Sequence, residues 1–183
     1  MIVGSAARRY ARAIFSLAEE QGTLDQTVDE LQVIGAIASD PQIAAALANP
    51  LLSATARRDL ARTITDNLKA SATTRNFVSL LADHRRLDQL VGIAREFTRI
   101  LDIQRHRVRA TITSATPLSD AQRQAVVAAF ERKLGRSVLA ETHVDPQLLG
   151  GVVVDVEGTV YDGSVRTNLH TLANRIAGGR SLL

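Results

Sequence analysis

Over roughly the first 105 residues, apolar positions recur every three or four places, the spacing of helices with a buried face. Ser5 is placed to cap a first helix that runs to about Gln21, where Gly22 ends it. A second spans about Leu24 to Ala38, with Leu24, Val28, Leu31, Ile34 and Ala38 on one face. Asp40-Pro41 opens a short third helix and Asn49-Pro50 closes it. Ser53 caps a fourth that reaches about Lys69, and Thr73 or Thr74 opens a fifth that ends near Asp83. The sixth is long, from about Arg86 to Arg105, with Leu87, Leu90, Ala94, Phe97 and Leu101 in register. Short connections between six helices predict a bundle over residues 1–105.

At His106 the period changes to two. Val108, Ala110 and Ile112 alternate with Arg107, Arg109 and Thr111, the pattern of a half-buried strand, and Pro117 stops it. Ser119 and Gln122 have the spacing of a capping box for a helix to about Leu134. Ser137 to Val144 and Gly151 to Val156 read as strands, and Glu157-Gly158 turns the chain into a short strand, Thr159-Val160-Tyr161. The Asp162-Gly163-Ser164 turn then opens a last helix with Val165, Leu169, Leu172, Ala173 and Ile176 on one stripe. The expected fold is α+β overall: an N-terminal six-helix bundle, residues 1–105, followed by a small α+β domain, residues 106–183.

Composition agrees with helices and removes several chemistries. Aromatic residues are 3% of the chain and Trp is absent, so the core rests on Ala, Leu, Ile and Val, of which Ala and Leu are strong helix formers. With no cysteine there are no disulfides, thiolate metal sites or cysteine nucleophiles. Met1-Ile2-Val3 before Gly4-Ser5 is too short for a signal-peptide core, and no apolar run approaches the ~18–20 residues of a membrane span. Net charge is +3, with 13 basic and 12 acidic residues up to position 105 and 9 and 7 after it. Neither part has the excess expected of a nucleic-acid binder. The pairs Arg8-Arg9, Arg57-Arg58 and Arg85-Arg86 read as solvated helix faces.

Candidate catalytic groups do not assemble into a motif. Gly150-Gly151 lacks the spacing of a phosphate loop or of GxGxxG, and reads as a tight turn that needs positive φ. His84, His106, His143 and His170 lie on four different elements with no second ligand at helical spacing. Ser164 follows Gly163 without a G-x-S-x-G elbow around it, and helix capping explains it. No cofactor or metal site is expected.

Two helices carry more apolar surface than one core requires. On the first, Ser5, Arg8, Arg9, Arg12, Ser16, Glu19 and Glu20 occupy about a third of the circumference at about 100° per residue. The rest, including Tyr10, Ala13, Ile14, Phe15 and Leu17, is apolar, about twice the stripe of roughly 100° that a one-sided helix needs. The fifth repeats the excess through Phe77, Val78, Leu80, Leu81 and Ala82. Central burial and partner binding both account for this.

Three blocks resemble one family, that of bacterial ATP synthase delta subunits and the mitochondrial oligomycin-sensitivity-conferring protein. Ala7-Arg8-Arg9-Tyr10-Ala11-Arg12-Ala13-Ile14-Phe15 resembles its N-terminal motif, and Asn76 to Leu87 resembles a second segment. The run Val144-Asp145-Pro146-Gln147-Leu148-Leu149-Gly150-Gly151-Val152-Val153-Val154, then Tyr161-Asp162-Gly163-Ser164-Val165-Arg166 and Leu169, resembles its C-terminal block in order and spacing. Val156-Glu157-Gly158, a turn in which the family often has a glycine, and Tyr161, where it often has Ile, are the departures from the pattern, both in a hairpin. The resemblance implies a non-catalytic stator subunit at the cytoplasmic face of the bacterial membrane. Its helical domain would bind N-terminal helices of the alpha subunits in the catalytic head, and its second domain the b subunits of the peripheral stalk. Tyr10, Ala13, Ile14, Leu17, Phe77, Leu80 and Leu81 would then include the head-binding groove, and Gly150, Gly151, Asp162, Gly163 and Ser164 would shape the smaller domain. An Arg-rich nucleic-acid-binding protein and a small enzyme are the alternatives of other classes.

Overall fold

The structure, a computed structural model, describes residues 4–49, 51–167 and 169. The chain divides into two compact units, Met1–Leu101 and Asp102–Leu183, and the division falls within the last helix of the first. Helices and one four-stranded sheet make it an α+β protein.

The first unit contains α1 (Ser5–Glu20), α2 (Leu24–Ala38), α3 (Pro41–Ala48), α4 (Ala54–Asn67), α5 (Ala72–Asp83), a 3-10 turn (Leu87–Gln89) and α6 (Leu90–Gln104). Its core is built from the stripes that periodicity picks out. Val28, Leu31, Ile34 and Ala38 of α2 are buried in one cluster with Leu90, Ala94, Phe97 and Leu101 of α6 and Leu87 before it. Phe15 and Phe97 meet with ring centroids 5.2 Å apart. Burying side chains of this size contributes about 1.5–3 kcal/mol each. Gly35 lets α2 approach α6: a Cβ there would stand 2.9 Å from that of Ala94.

Local capping differs from the sequence reading at three helix starts. Ser5 does not cap α1; Gly4 holds that position and has no side chain to accept a bond. The cap of α5 is Ser71 rather than Thr73 or Thr74, its Oγ accepting from the Thr74 N–H at 3.3 Å. Arg86 does not begin α6, because positive φ at Arg85 and a non-helical Arg86 reverse the chain before the 3-10 turn. Asp40 and Ser53 cap α3 and α4 as expected. Pro50 lies outside the described residues.

The arginine pairs are not all solvated. Arg57 is buried, and its guanidinium donates to the carbonyls of Leu52 and Ala82, the latter at 3.3 Å. A cation there meets the carbonyl-rich end of α5, a favourable place for positive charge. Arg58 is exposed and pairs with Asp83 at 2.6 Å.

The second unit runs β1 (Arg107–Ser114), α7 (Asp120–Leu134), β2 (Ser137–Val144), β3 (Val152–Val156) and β4 (Thr159–Asp162). Sheet order is β2-β1-β3-β4, with β1 and β2 parallel and the other pairs antiparallel. A parallel pair needs a crossover, and α7 supplies it between β1 and β2. Ser119 and Gln122 form the capping box, and Gly135 in the left-handed region ends the helix. Val108, Ala110 and Ile112 of β1 pack with Val138, Val154 and Val156, while Phe130 of α7 meets Tyr161 edge-on at 5.1 Å. Strand β3 starts at Val152, one residue later than expected, because Gly151 belongs to the turn. The final helix begins at Val165, but Leu172, Ala173 and Ile176 of its proposed stripe lie outside the described residues, as does His170.

Candidate functional site

Helix α1 resolves its excess of apolar surface by using two faces. Ala7, Ala11, Ile14, Phe15 and Ala18 are buried, whereas Ala13 and Leu17 are exposed and Tyr10 is half-buried. Helix α5 divides in the same way: Thr74, Phe77, Val78, Leu81 and Ala82 are buried, and Ala72, Asn76 and Leu80 are exposed.

The outer faces meet in a groove of about 650 Å³ lined by Arg9, Tyr10, Ala13, Ile14, Leu17, Gln21, Ala72, Thr73, Asn76, Phe77 and Leu80. Ile14 and Phe77 form a floor that also belongs to the core. Leu17 and Leu80 stand on its walls at 41% and 45% exposure, high for large aliphatic side chains. At one end the Thr73 hydroxyl donates to Gln21 Oε1 at 2.6 Å, so the start of α5 lies by the end of α1. At the other, the Arg9 guanidinium lies 5.6 Å from the centroid of the Tyr10 ring. Such a surface can receive an amphipathic helix, whose apolar stripe would cover Leu17 and Leu80.

Six of the seven residues proposed from sequence for this surface come together in it, and Leu81 does not. Leu81 is 0% exposed and packs in the core, one residue and about 100° around the helix from Leu80. Sequence reasoning missed Arg9, Gln21, Ala72, Thr73 and Asn76 as lining residues. Thr73 and Asn76 stand four residues before Phe77 and Leu80, so helical spacing was the available signal.

Carboxylates elsewhere hold elements in place. Glu96 of α6 is 3% exposed and receives Arg99 through two bonds of 2.9 and 2.7 Å. The Arg99 bonds, helped by the charges of Arg99, Arg8 and Arg12, hold its carboxyl below the usual range against the opposing effect of burial. At Glu30, burial pushes upward, but hydrogen bonds from Thr74, Ser71 and Gln26 together outweigh it and lower the carboxyl. Asp102 is bound by Arg107 at 2.6 Å and Arg109 at 2.7 Å.

In the second unit, the two glycine turns interlock. Gly151 has φ +83°, and a Cβ there would fall 2.4 Å from the Gly163 carbonyl oxygen. The Gly163 N–H donates to Val152 O and the Val165 N–H to Gly150 O, both at 2.9 Å. Asp162 accepts from the Ser164 N–H and from the Thr167 hydroxyl at 2.8 Å each, which lowers its carboxyl. Ser164 is buried and its Oγ accepts from the Thr167 N–H at 3.3 Å, the capping role read from sequence. Gly150, Gly151, Asp162, Gly163 and Ser164 thus form one structural knot. Among the described residues no group of three His, Asp or Glu side chains could hold a metal ion, and no single helix is long and apolar enough to cross a membrane.

Comparisons with known proteins agree with this architecture. The family model for the ATP synthase delta (OSCP) subunit matches residues 6–176. The ATP synthase subunit delta of Anaeromyxobacter dehalogenans strain 2CP-1 is 41% identical over 173 residues, 94% of this chain and 97% of that one. Its counterpart in Xanthomonas campestris pv. campestris strain B100 is 39% identical over 171 residues, 93% and 95% of the two chains. A chain in the cryo-EM structure of the Toxoplasma gondii mitochondrial ATP synthase hexamer has the same fold, with TM-score 0.67 at 20% identity over 95% of this chain and 98% of that one. With matches that span nearly all of its length, this chain belongs to the ATP synthase delta (OSCP) subunit family.

Proposed function

We propose that the α1/α5 groove receives an N-terminal helix of an alpha subunit in the catalytic head, while residues 106–183 hold the b subunits of the peripheral stalk. Membership of the family makes the chain a non-catalytic stator subunit of an ATP synthase. In our reading residues 1–105 act as a six-helix bundle on the head, at the cytoplasmic face of the bacterial membrane. The stator has to resist rotor torque, and a buried apolar helix contact resists slipping better than scattered exposed charge pairs, each worth only about 0–1 kcal/mol.

The observation that carries the groove reading is the exposure of Leu17 and Leu80 on facing helices that already bury a full core stripe. Covering such side chains contributes roughly 25 cal/mol per Å² removed from water. Titration calorimetry of the full chain with a peptide of the alpha-subunit N-terminus tests it. Saturable binding with a negative heat-capacity change is expected, as apolar burial requires. An Ala13→Asp variant should keep its melt yet bind about a hundredfold more weakly or worse, since it desolvates a charge. Wild-type affinity in that variant would refute the placement of the helix.

A further inference from the structure

We propose that the helix received by the α1/α5 groove carries a carboxylate at the end of its apolar stripe that meets the start of α1, where Arg9 pairs with it. The inference rests on the groove reading above and adds a polarity to it. The two ends of the groove differ in chemistry. Arg9 is the one charged side chain among the described lining residues, and its place over the Tyr10 ring keeps the guanidinium at the groove mouth. The far end is closed by the neutral Gln21–Thr73 pair.

The field at the Arg9 end is positive for further reasons. Ser5, Arg8, Arg9 and Arg12 surround a hollow of about 350 Å³ on the same part of α1. The first turn of α1 has no acidic residue and its N-cap, Gly4, has no side chain, so the first-turn N–H groups, which have no partner within the helix, add the positive end of the helix dipole. Glu96 lies within reach of Arg8 and Arg12, but it is one buried carboxylate against several arginines and Arg99 already bonds it. From Arg9 to Gln21 the groove extends about 18 Å, at about 1.5 Å per residue, enough for about three turns of a docked helix. A helix of that length presents one end to the arginines and the other to the amide and hydroxyl. An acidic group gains only at the first, so its position fixes which way the helix lies.

The test uses the full chain and two probes: the alpha-subunit N-terminal peptide, and a copy with every Asp and Glu replaced by Asn and Gln. Arg9→Glu should weaken binding of the acidic peptide by about tenfold or more at low salt, with the difference shrinking as salt rises. The neutral copy should bind wild type and Arg9→Glu within about twofold of each other. Equal affinity of the acidic peptide for both proteins, or an equal loss with both peptides, would overturn the proposal. Arg9 is exposed, so an unchanged melt is the control for folding. Leu80→Asp separates the two levels of the argument. If it still binds either peptide normally, the groove reading has failed; if it loses both while Arg9→Glu loses neither, only the carboxylate has. Dimerisation of the free chain that Leu80→Asp abolishes would give the groove to a second copy and overturn the proposal.

Discussion

Gly151 and Gly158 both have positive φ, +83° and +87°, but only the first is crowded. A side chain at Gly158 would meet nothing within 4 Å, so Gly158→Ala faces only backbone strain, about 1–2 kcal/mol. At Gly151 the same strain adds to a Cβ held 2.4 Å from a carbonyl oxygen and 2.9 Å from the Cα of Ser164. Gly151→Val should therefore lower the melting temperature of the second unit well beyond Gly158→Ala, measured by differential scanning calorimetry. Equal melts would mean that the interlocked turns do not matter to folding. The need for a turn at Gly150-Gly151 was legible in the sequence, but the crowding was not, because Gly163 is distant along the chain. Leu80 and Leu81 teach the same lesson. Periodicity places them about 100° apart without saying which direction holds the core. Arg57 was misread for a related reason: an arginine buries its stem when carbonyls are waiting, and no local pattern announces them.

At the level of elements, the spacing of Leu87, Leu90, Ala94, Phe97 and Leu101 was enough to identify the inner face of α6 and of the 3-10 turn before it, and all five are buried. Polar residues within such a stretch carry a different signal. Glu96 shares α6 with that core and is nearly as buried, which makes its ionisation a stability term. Its carboxyl is held below the ordinary value by Arg99. A carboxyl lowered on folding adds stability that is complete above the unfolded value, near 4.5, and is lost as pH falls through the lower folded value. Wild-type melting temperature should thus fall more steeply from pH 5 downward than that of Glu96→Gln, although the variant is the less stable of the two at pH 7. Thermal melts from pH 7 to pH 3 read this difference directly. Parallel curves would show that Glu96 does not contribute. Glu30, also lowered, adds a fall of the same sign that both proteins retain.

For the whole molecule, the change from helical to strand periodicity at His106 lies close to the division after Leu101. We expect a fragment of residues 1–105 to give a helical circular-dichroism spectrum and a cooperative melt, because the α1–α6 core is closed within it. A non-cooperative melt would mean that the cut removes part of that core. The full chain should show no saturable heat with ATP and Mg²⁺, as a subunit without catalytic duty requires; a micromolar site would contradict the stator account. The most direct measurement joins the two proposed partners. Catalytic head lacking this subunit and the soluble part of the b subunits are mixed with and without the chain, then resolved by analytical ultracentrifugation. The account predicts that the b subunits sediment with the head only when the chain is present. It also predicts that Leu80→Asp releases the head while keeping b. Co-sedimentation of b with the head in the absence of the chain, or a chain that binds neither, would contradict it.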